Sequence, residues 1–143
     1  MDLEYGPEYQ DFTKKVQSFC KKYKGLSFKD RANTPLVSSG GSGGPEMHRS
    51  EWQKILIENG YFARSVPKEY GGYGGEADII KSRIIAAEFS KSKTPTPMGG
   101  QGIDMLVPTL LEMGTEEQKQ AYIKPTLHGE MIWCQGYSEP NAG

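Results

Sequence analysis

Two glycine clusters are the most prominent candidates for ligand contact in this sequence. They are Gly71-Gly72-Tyr73-Gly74-Gly75 and Gly99-Gly100-Gln101-Gly102. Neither has the glycine spacing of a dinucleotide-binding fingerprint, and neither is followed by the Gly-Lys-Ser/Thr of a phosphate loop. The clusters are typical of tight turns between helices, which is the interpretation we favour. The alternative is a close approach of the backbone to a ligand, which glycine permits because it lacks a side chain.

The histidines, cysteines and carboxylates form no recognisable catalytic set. His48 and His128 are too far apart in the sequence to indicate a metal pair, and we predict that both lie at the surface. Cys134 has no neighbouring base or cation, which indicates a packed thiol and not a nucleophile. Glu88 is predicted to be solvated, with a position lining a pocket as the alternative. The sequence therefore assigns no catalytic residue and no metal ligand.

Composition excludes several classes of partner. The chain has 143 residues, 17 basic and 18 acidic, and a net charge of −1, so it carries no electrostatic footprint for nucleic acid or for an anionic membrane surface. Its apolar runs are far too short to span a membrane, and its acidic N-terminus does not resemble a secretory signal. Two cysteines cannot form a disulfide framework, so we expect a cytoplasmic protein with two reduced thiols.

Apolar residues spaced by three and four predict three helices in the first part of the chain. The first covers residues 8–23 and ends near Gly25. The second opens at Ser50, which forms a predicted capping box with Gln53, and ends at Asn59-Gly60. The third covers residues 76–90, and residues 29–45 between the first two helices are predicted to be loop.

The second part of the chain predicts two more helices and then a change of pattern. Residues 103–113 form an apolar helix that tolerates Pro108 only near its beginning or at a kink. Thr115 and Gln118 form a capping box for a helix that runs through Ile123 and is stopped by Pro125. A strand signal then covers residues 131–137. A lone strand leaves unpaired backbone groups, so we expect further structure beside it.

Three segments, taken together, resemble the N-terminal portion of acyl-CoA dehydrogenases. They are VPKEYGGYGG at 66–75, MGTEEQKQAYIKPTLHGE at 113–130 and WCQGYSEPNAG at 133–143. Their order and spacing match that family, as does ENGYF at 58–62. The resemblance implies an all-α N-terminal helical bundle domain over residues 1–130. Residues 131–143 would then be the first strand and turn of a central β-domain that this sequence does not contain.

The resemblance also implies an activity, which is the α,β-dehydrogenation of an acyl-CoA thioester with FAD as cofactor. In that family a glutamate removes the α proton while a hydride leaves the β carbon for the flavin. Electrons then pass to an electron-transferring flavoprotein or a similar acceptor. A homo-oligomer or hetero-oligomer is expected, because a second subunit often helps to hold the flavin.

Residue positions carry over only where the motif matches. The resemblance implies flavin contacts from the end of the chain: Gln135 and Tyr137 through main-chain or edge contacts, Ser138 through its hydroxyl, and Gly143 at a turn that packs on the cofactor. The stretch from Gly99 to Met105 resembles the region that bounds the acyl pocket. We therefore expect Gly100, Gln101 and Met105 to line that pocket, with the glycines leaving room for a bulky or polycyclic acyl group.

The family's catalytic glutamate and most of its flavin contacts have no counterpart in these 143 residues. We therefore expect the chain by itself to bind FAD weakly and to be inactive, as one part of a larger enzyme. Two other classes of function stay open: a non-catalytic subunit that completes a partner's pocket, and a helical interaction module without activity of its own.

Overall fold

A computed structural model describes residues 6–30, 43–137, 140 and 141. This part of the chain is mainly helical, which confirms the predicted all-α class. Its elements are α1 (Pro7–Lys22), β1 (Ser27–Phe28), β2 (Glu46–Met47), α2 (Arg49–Glu58), a 3₁₀ turn (Lys68–Tyr70), α3 (Ile79–Ser92), a π turn (Gly102–Leu106), α4 (Val107–Met113) and α5 (Glu116–Leu127). They divide into a first unit, residues up to 52 with 76–96, and a second unit, residues 53–75 with 97 onward.

The first unit is built around the apolar stripe of α1. Val16, Phe19 and Cys20 are its buried residues, as the spacing of three and four predicts. The Phe19 ring stacks at 5.6 Å from Trp52 and at 6.1 Å from Phe89, measured between ring centroids. The sequence-predicted first helix is therefore confirmed as the centre of a small aromatic core.

Helix α3 starts three residues later than its apolar pattern suggests. Asp78 caps it, because its side chain accepts a hydrogen bond of 2.9 Å from the backbone N–H of Lys81. The predicted start at Glu76 is therefore wrong, because α3 begins at Ile79, directly after its capping residue. The apolar spacing predicts core positions for Ile80, Ile84, Ala87 and Phe89. Ile84 and Phe89 are buried, Ile80 is half-buried and Ala87 is exposed.

Glu88 is buried on the inner face of α3, so the predicted solvated position is wrong. Its residue exposure is 8%, and its carboxylate accepts a hydrogen bond of 2.8 Å from the Lys91 ammonium group. This hydrogen bond, with a further one from Gln17, lowers the pKa of Glu88 although desolvation opposes the shift. The ion pair with the exposed Lys91 side chain thus offsets part of the free-energy cost of burying the Glu88 carboxylate.

Two very short strands flank the predicted loop and were not expected. β1 and β2 pair in parallel, with Ser27 opposite Glu46 and Phe28 opposite Met47. A two-residue strand is too short to show an alternating pattern, which is why the sequence gives no signal for it. Residues 31–42 of the predicted loop lie outside the described residues.

The start of α2 differs from its prediction, whereas its end agrees. The helix begins at Arg49, so Ser50 lies inside it and does not form the predicted capping box. Instead, the carboxylate of Glu51 accepts a hydrogen bond of 2.8 Å from the backbone N–H of His48. At the other end Gly60 has a φ of 72°, the left-handed conformation that commonly follows a helix.

Gln53, predicted to be part of that capping box, is instead buried in the second unit, where its side chain binds two distant parts of the chain. Its side-chain amide donates to the carbonyl of Leu127 at 3.0 Å. Its side-chain oxygen accepts from the N–H of Met98 at 2.8 Å. Both polar ends of a fully buried side chain are thereby satisfied, which burial requires.

The core of the second unit gathers the 3₁₀ turn, α4 and α5. The buried members of this cluster are Ile57, Val66, Tyr70, Val107, Leu110, Ile123 and Leu127. The predicted capping box at the start of α5 is confirmed, with Thr115 and Gln118 exchanging both hydrogen bonds. Pro125 does not stop α5, which continues to Leu127, because a proline in the last turn removes a single hydrogen bond.

The segment after α5 is less regular than predicted. Residues 132–137 belong to no helix or strand, so the predicted strand over residues 131–137 is not formed in the described structure. A strand exists only when it pairs with a neighbour, and no described strand lies beside this segment. Cys134 is exposed, which contradicts its predicted packing in a strand.

Candidate functional site

The predicted acyl-pocket segment leads into a π turn, a rare widened helical turn that is frequent at functional sites. The backbone N–H of Val107 donates to the carbonyl of Gly102, five residues earlier. Pro108 explains the widening, because its ring lacks an N–H and would collide with the carbonyl four residues before it in a regular α-helix. The prediction that Pro108 is tolerated only near the beginning of its helix or at a kink is confirmed, since it is the second residue of α4.

The residues before and within this turn are held by a local hydrogen-bonded ring. The N–H of Gly100 donates to the Asp104 carboxylate at 2.9 Å, and the N–H of Asp104 donates to the Gly100 carbonyl at 2.9 Å. Gly100 has a φ of 120°, a conformation that side chains rarely permit. Gln101 is exposed, and Met105 is 51% exposed. The turn therefore presents these predicted pocket side chains outward from a fixed backbone.

The predicted flavin-facing segment is open along its whole described length. Gln135 is exposed and Tyr137 has 82% of its surface exposed. A Cβ atom built on Gly136, between them, would meet no atom within 4 Å. Ser138 and Gly143, the other two residues predicted to contact the cofactor, lie outside the described residues.

The two predicted segments meet through residues that the sequence had not assigned. A Cβ atom on Gly102 would lie 2.5 Å from Cδ1 of Trp133 and 2.8 Å from Cγ2 of Thr126. The Trp133 indole N–H donates to the Thr126 hydroxyl oxygen at 2.8 Å. The sequence signal that could have indicated this close contact is a glycine directly beside a predicted helix, because a missing side chain permits a close approach.

The other glycine cluster is a self-contained turn. Each backbone N–H of residues 71–75 donates to a nearby carbonyl: those of Lys68, Pro67, Ala63, Val66 and Arg64, respectively. The favoured interpretation of this cluster as a tight turn is confirmed. Because these donors are already used, the loop offers no ring of free N–H groups to an anion.

A cleft of about 410 Å³ lies beside that loop within the second unit. Its lining residues are Lys54, Ile57, Glu58, Lys68, Gly71, Gly72, Tyr73 and His128. The side chain of His128 is only 14% exposed, so its predicted surface position is wrong, whereas that of His48 is confirmed at 57%. Burial, followed by the nearby Lys54 ammonium, lowers the pKa of His128. The cleft contains none of the residues predicted to contact the acyl group or the flavin, and its lysines are offset by Glu58 and by the Lys54–Glu130 ion pair.

The part of the chain that the structure describes has neither a metal-binding cluster nor a membrane-spanning helix. It contains no group of three or more histidine, cysteine, aspartate and glutamate side chains placed to hold a metal ion. None of its helices combines the length and apolar character needed to cross a membrane.

The fold and the two segments define a mainly helical domain that presents a π turn and an open chain segment. A family model described as "Acyl-CoA dehydrogenase, N-terminal domain" matches residues 7–130. The chain belongs to the acyl-CoA dehydrogenase family, and residues 7–130 correspond to its N-terminal domain.

Individual relatives agree with this assignment. Over 95 residues the chain is 35% identical to acyl-CoA dehydrogenase IpdE1 of Mycolicibacterium smegmatis, covering 66% of this chain and 24% of the relative. It is 28% identical to acyl-CoA dehydrogenase FadE26 of Mycobacterium tuberculosis over 143 residues, covering all of this chain and 34% of the relative.

A solved structure has the same fold. The crystal structure of the ChsE4–ChsE5 complex from Mycobacterium tuberculosis matches with a TM-score of 0.59 and 25% identity, covering all of this chain and 33% of the matched chain. The chain thus spans about a quarter to a third of the length of these three proteins.

Proposed function

We propose that this chain is the acyl-binding helical part of an FAD-dependent acyl-CoA dehydrogenase that oxidises an acyl-CoA thioester at its α,β bond. The observation that supports this most directly is the family match over residues 7–130, combined with the exposure of Gly100, Gln101 and Met105 and of residues 135–137. Residues 131–143 would lead into a central β-domain, where residues 132–137 would find the strand partner that they lack here.

The acyl wall would be formed by Gly100, Gln101 and Met105. The hydrogen-bonded ring between Gly100 and Asp104 fixes this backbone, so that the half-exposed Met105 side chain can pack against an aliphatic or polycyclic acyl group. The Asp104 carboxylate already accepts the Gly100 N–H, and we assign it no role as a base.

The flavin edge would be formed by Gln135, Tyr137, Ser138 and Gly143. Open space at Gly136 and the exposed Tyr137 ring fit the approach of a flat ring system to this backbone. FAD, when bound, supplies the oxidant for the dehydrogenation. Gln135 and Tyr137 would orient this ring and exclude water from it, and a glutamate outside these 143 residues would take the α proton.

The partners proposed are an acyl-CoA substrate, an electron-transferring flavoprotein or similar acceptor, and further subunits. The matched solved structure is a complex of two differently named chains, which favours a hetero-oligomer over a lone polypeptide. That observation also supports the second candidate, a non-catalytic subunit that completes the pocket of a partner enzyme.

Purification from the native host through a tag on this chain tests the proposal. The expected preparation is yellow, and an acyl-CoA added without oxygen bleaches its flavin absorbance. A purified assembly with no flavin, or with flavin that no acyl-CoA of any size reduces, would contradict the proposed activity. If a separately purified partner carries the flavin and acyl-CoA reduces it only when this chain is added back, the chain is the non-catalytic subunit that completes the partner's pocket.

Met105→Ala in the active assembly tests the acyl wall. Truncating a side chain that packs on the acyl group should change the ratio of kcat/KM between a short and a bulky acyl-CoA by about tenfold. Met113→Ala is the matched control, because Met113 is 78% exposed at the end of α4 and outside the predicted pocket. Equal ratios for both variants would remove Met105 from the pocket.

A further inference from the structure

Trp133 is fixed on three sides within the second unit. Its indole N–H donates to the Thr126 hydroxyl oxygen at 2.8 Å, and that hydroxyl donates to the Tyr122 carbonyl at 2.6 Å. The Tyr122 ring meets the indole edge to face, with the ring centroids 5.6 Å apart and an interplanar angle of 87°. Helix α5 thus holds the indole in one orientation.

The third side is the backbone of the π turn at Gly102. Gly102 is buried, and any Cβ atom there would overlap the indole at 2.5 Å and the Thr126 methyl group at 2.8 Å. Real Cβ atoms do not approach other atoms so closely, so alanine at this position would force the indole or the turn to move. The missing side chain is therefore a requirement of this contact.

The contact joins the two segments that carry the predicted site. Gly102 is the first residue of the π turn, directly after Gly100 and Gln101 and three residues before Met105. Trp133 lies two residues before Gln135 and four before Tyr137. A displacement of Gly102 or Trp133 would therefore move those residues of the acyl wall and the flavin edge that lie at most four residues away along the chain.

We propose that the contact between Gly102 and Trp133 sets the distance between the acyl wall and the flavin edge, so that both are positioning residues for the reaction. This inference rests on the proposed function. Neither residue needs to touch a reacting atom. Their effect is on alignment, because a displacement of about 1 Å between bound groups can reduce the rate about a hundredfold.

The contact itself is tested by ¹⁹F NMR on the flavin-loaded assembly labelled with 5-fluorotryptophan. The Trp133 resonance is identified by its loss in Trp133→Phe. We expect Gly102→Ala to shift this resonance, because the added methyl group displaces the indole. Gly136→Ala is the matched control, since it lies in the same segment and its Cβ would meet nothing within 4 Å. A Gly102→Ala spectrum as little changed as that of the control would overturn the contact.

The positioning role is tested by kinetics on the same assembly. Gly102→Ala should lower kcat by about tenfold to a hundredfold with a smaller change in KM, because bound groups would be misaligned. Trp133→Phe in the Gly102→Ala background should restore part of kcat, since the smaller ring leaves room for the added methyl group. Thr126→Val, which removes the hydrogen bond without adding bulk at Gly102, serves if Gly102→Ala does not fold, and it should lower kcat in the same direction.

The outcomes separate this inference from the proposed function. A shifted Trp133 resonance with unchanged kcat in an active assembly would overturn the positioning role and leave the proposed function standing. A wild-type assembly that reduces no flavin with any acyl-CoA would overturn both. A shifted resonance, a lowered kcat and partial rescue by Trp133→Phe would together support the inference.

Discussion

At the scale of single residues, the hydrogen bond between Tyr70 and Glu116 connects the 3₁₀ turn to the first turn of α5. The Tyr70 hydroxyl donates to the Glu116 carboxylate at 2.8 Å. This hydrogen bond is the main reason that the pKa of Tyr70 is raised to about 12. The pKa of Glu116 is lowered by hydrogen bonds from Gln120 and from Tyr70. A carboxylate in the first turn of a helix interacts favourably with the helix dipole, and Glu116 in addition binds the Tyr70 hydroxyl.

Removing this hydroxyl should destabilise the fold in a pH-dependent way. Because folding raises the pKa of Tyr70 from 10.0 to about 12, the stabilisation is present below pH 10 and is lost as the pH rises toward 12. Tyr70→Phe should thus lower the urea midpoint of unfolding at neutral pH, and the difference from wild type should shrink over that alkaline range. Tyr137→Phe is the control, because Tyr137 is 82% exposed. A constant difference at all pH values would refute the role of the hydroxyl.

Hydrogen bonds between residues close in the sequence could be predicted, whereas hydrogen bonds between distant residues could not. The capping box of α5 could be predicted because Thr115 and Gln118 are only three positions apart in the sequence, and the structure contains it. Gln53 binds Leu127, 74 residues away, and no local pattern reveals which carbonyl an amide will reach. Glu88 was placed in solvent because a carboxylate is normally exposed, whereas its helical position beside Ile84 and Ile85 buries it.

At the scale of elements, the two prolines inside helical segments have different consequences. Pro108 follows a π turn, whereas Pro125 lies inside α5 with no change of helix type. The difference depends on position. Pro125 lies two residues before the end of α5, whereas Pro108 lies at the beginning of α4, which continues directly from the π turn. The sequence predicted a constraint at both prolines, but only the structure shows how each helix adapts.

Pro108→Ala should allow the π turn to relax toward an α-helix. The new N–H could donate to the Asp104 carbonyl four residues earlier, which a proline cannot do. We expect changed backbone chemical shifts across residues 102–107. We also expect stronger protection of the residue 108 amide from hydrogen exchange.

Pro125→Ala is the matched control, since α5 is already α-helical around it and should keep its chemical shifts outside the adjacent turn. If the shifts of residues 102–107 stay unchanged in Pro108→Ala, the Gly102–Trp133 contact and not the proline maintains the π turn.

At the scale of the whole molecule, acid sensitivity should come in part from His128. Burial lowers its pKa below 6.5, so the folded state binds a proton less readily than the unfolded chain does. The resulting stability is present above pH 6.5 and is lost as the pH falls through the lowered value. His128→Gln should therefore flatten the loss of unfolding free energy between about pH 8 and about pH 5.

His48→Gln provides the comparison for that measurement. Its side chain is 57% exposed, so His48→Gln measures what the loss of an exposed imidazole does to the same unfolding curves. Identical pH dependence in His128→Gln and wild type would show that other groups control the acid response.

The family assignment required three segments in register, because no single element of this chain identifies its class. The helical class followed from apolar spacing and from strong stop signals, and the structure agrees. The strand at residues 131–137 could not be tested by pattern alone, since pairing depends on a neighbouring strand. The residues proposed to contact acyl group and flavin stay predictions, whereas their connection through Trp133 came from the structure.

The glycine loop at residues 71–75 has a consequence for the order of folding. All five of its N–H groups bond to carbonyls of residues 63–68, so its contacts span only a short stretch of chain. Short loops close at a small entropic cost, and local contacts of this kind form quickly. We expect this loop to be structured in the folding transition state, before α5 arrives to cover Gly71. Residues 71–75, one of the two glycine clusters considered as ligand contacts, would then act mainly as a folding nucleus for the second unit.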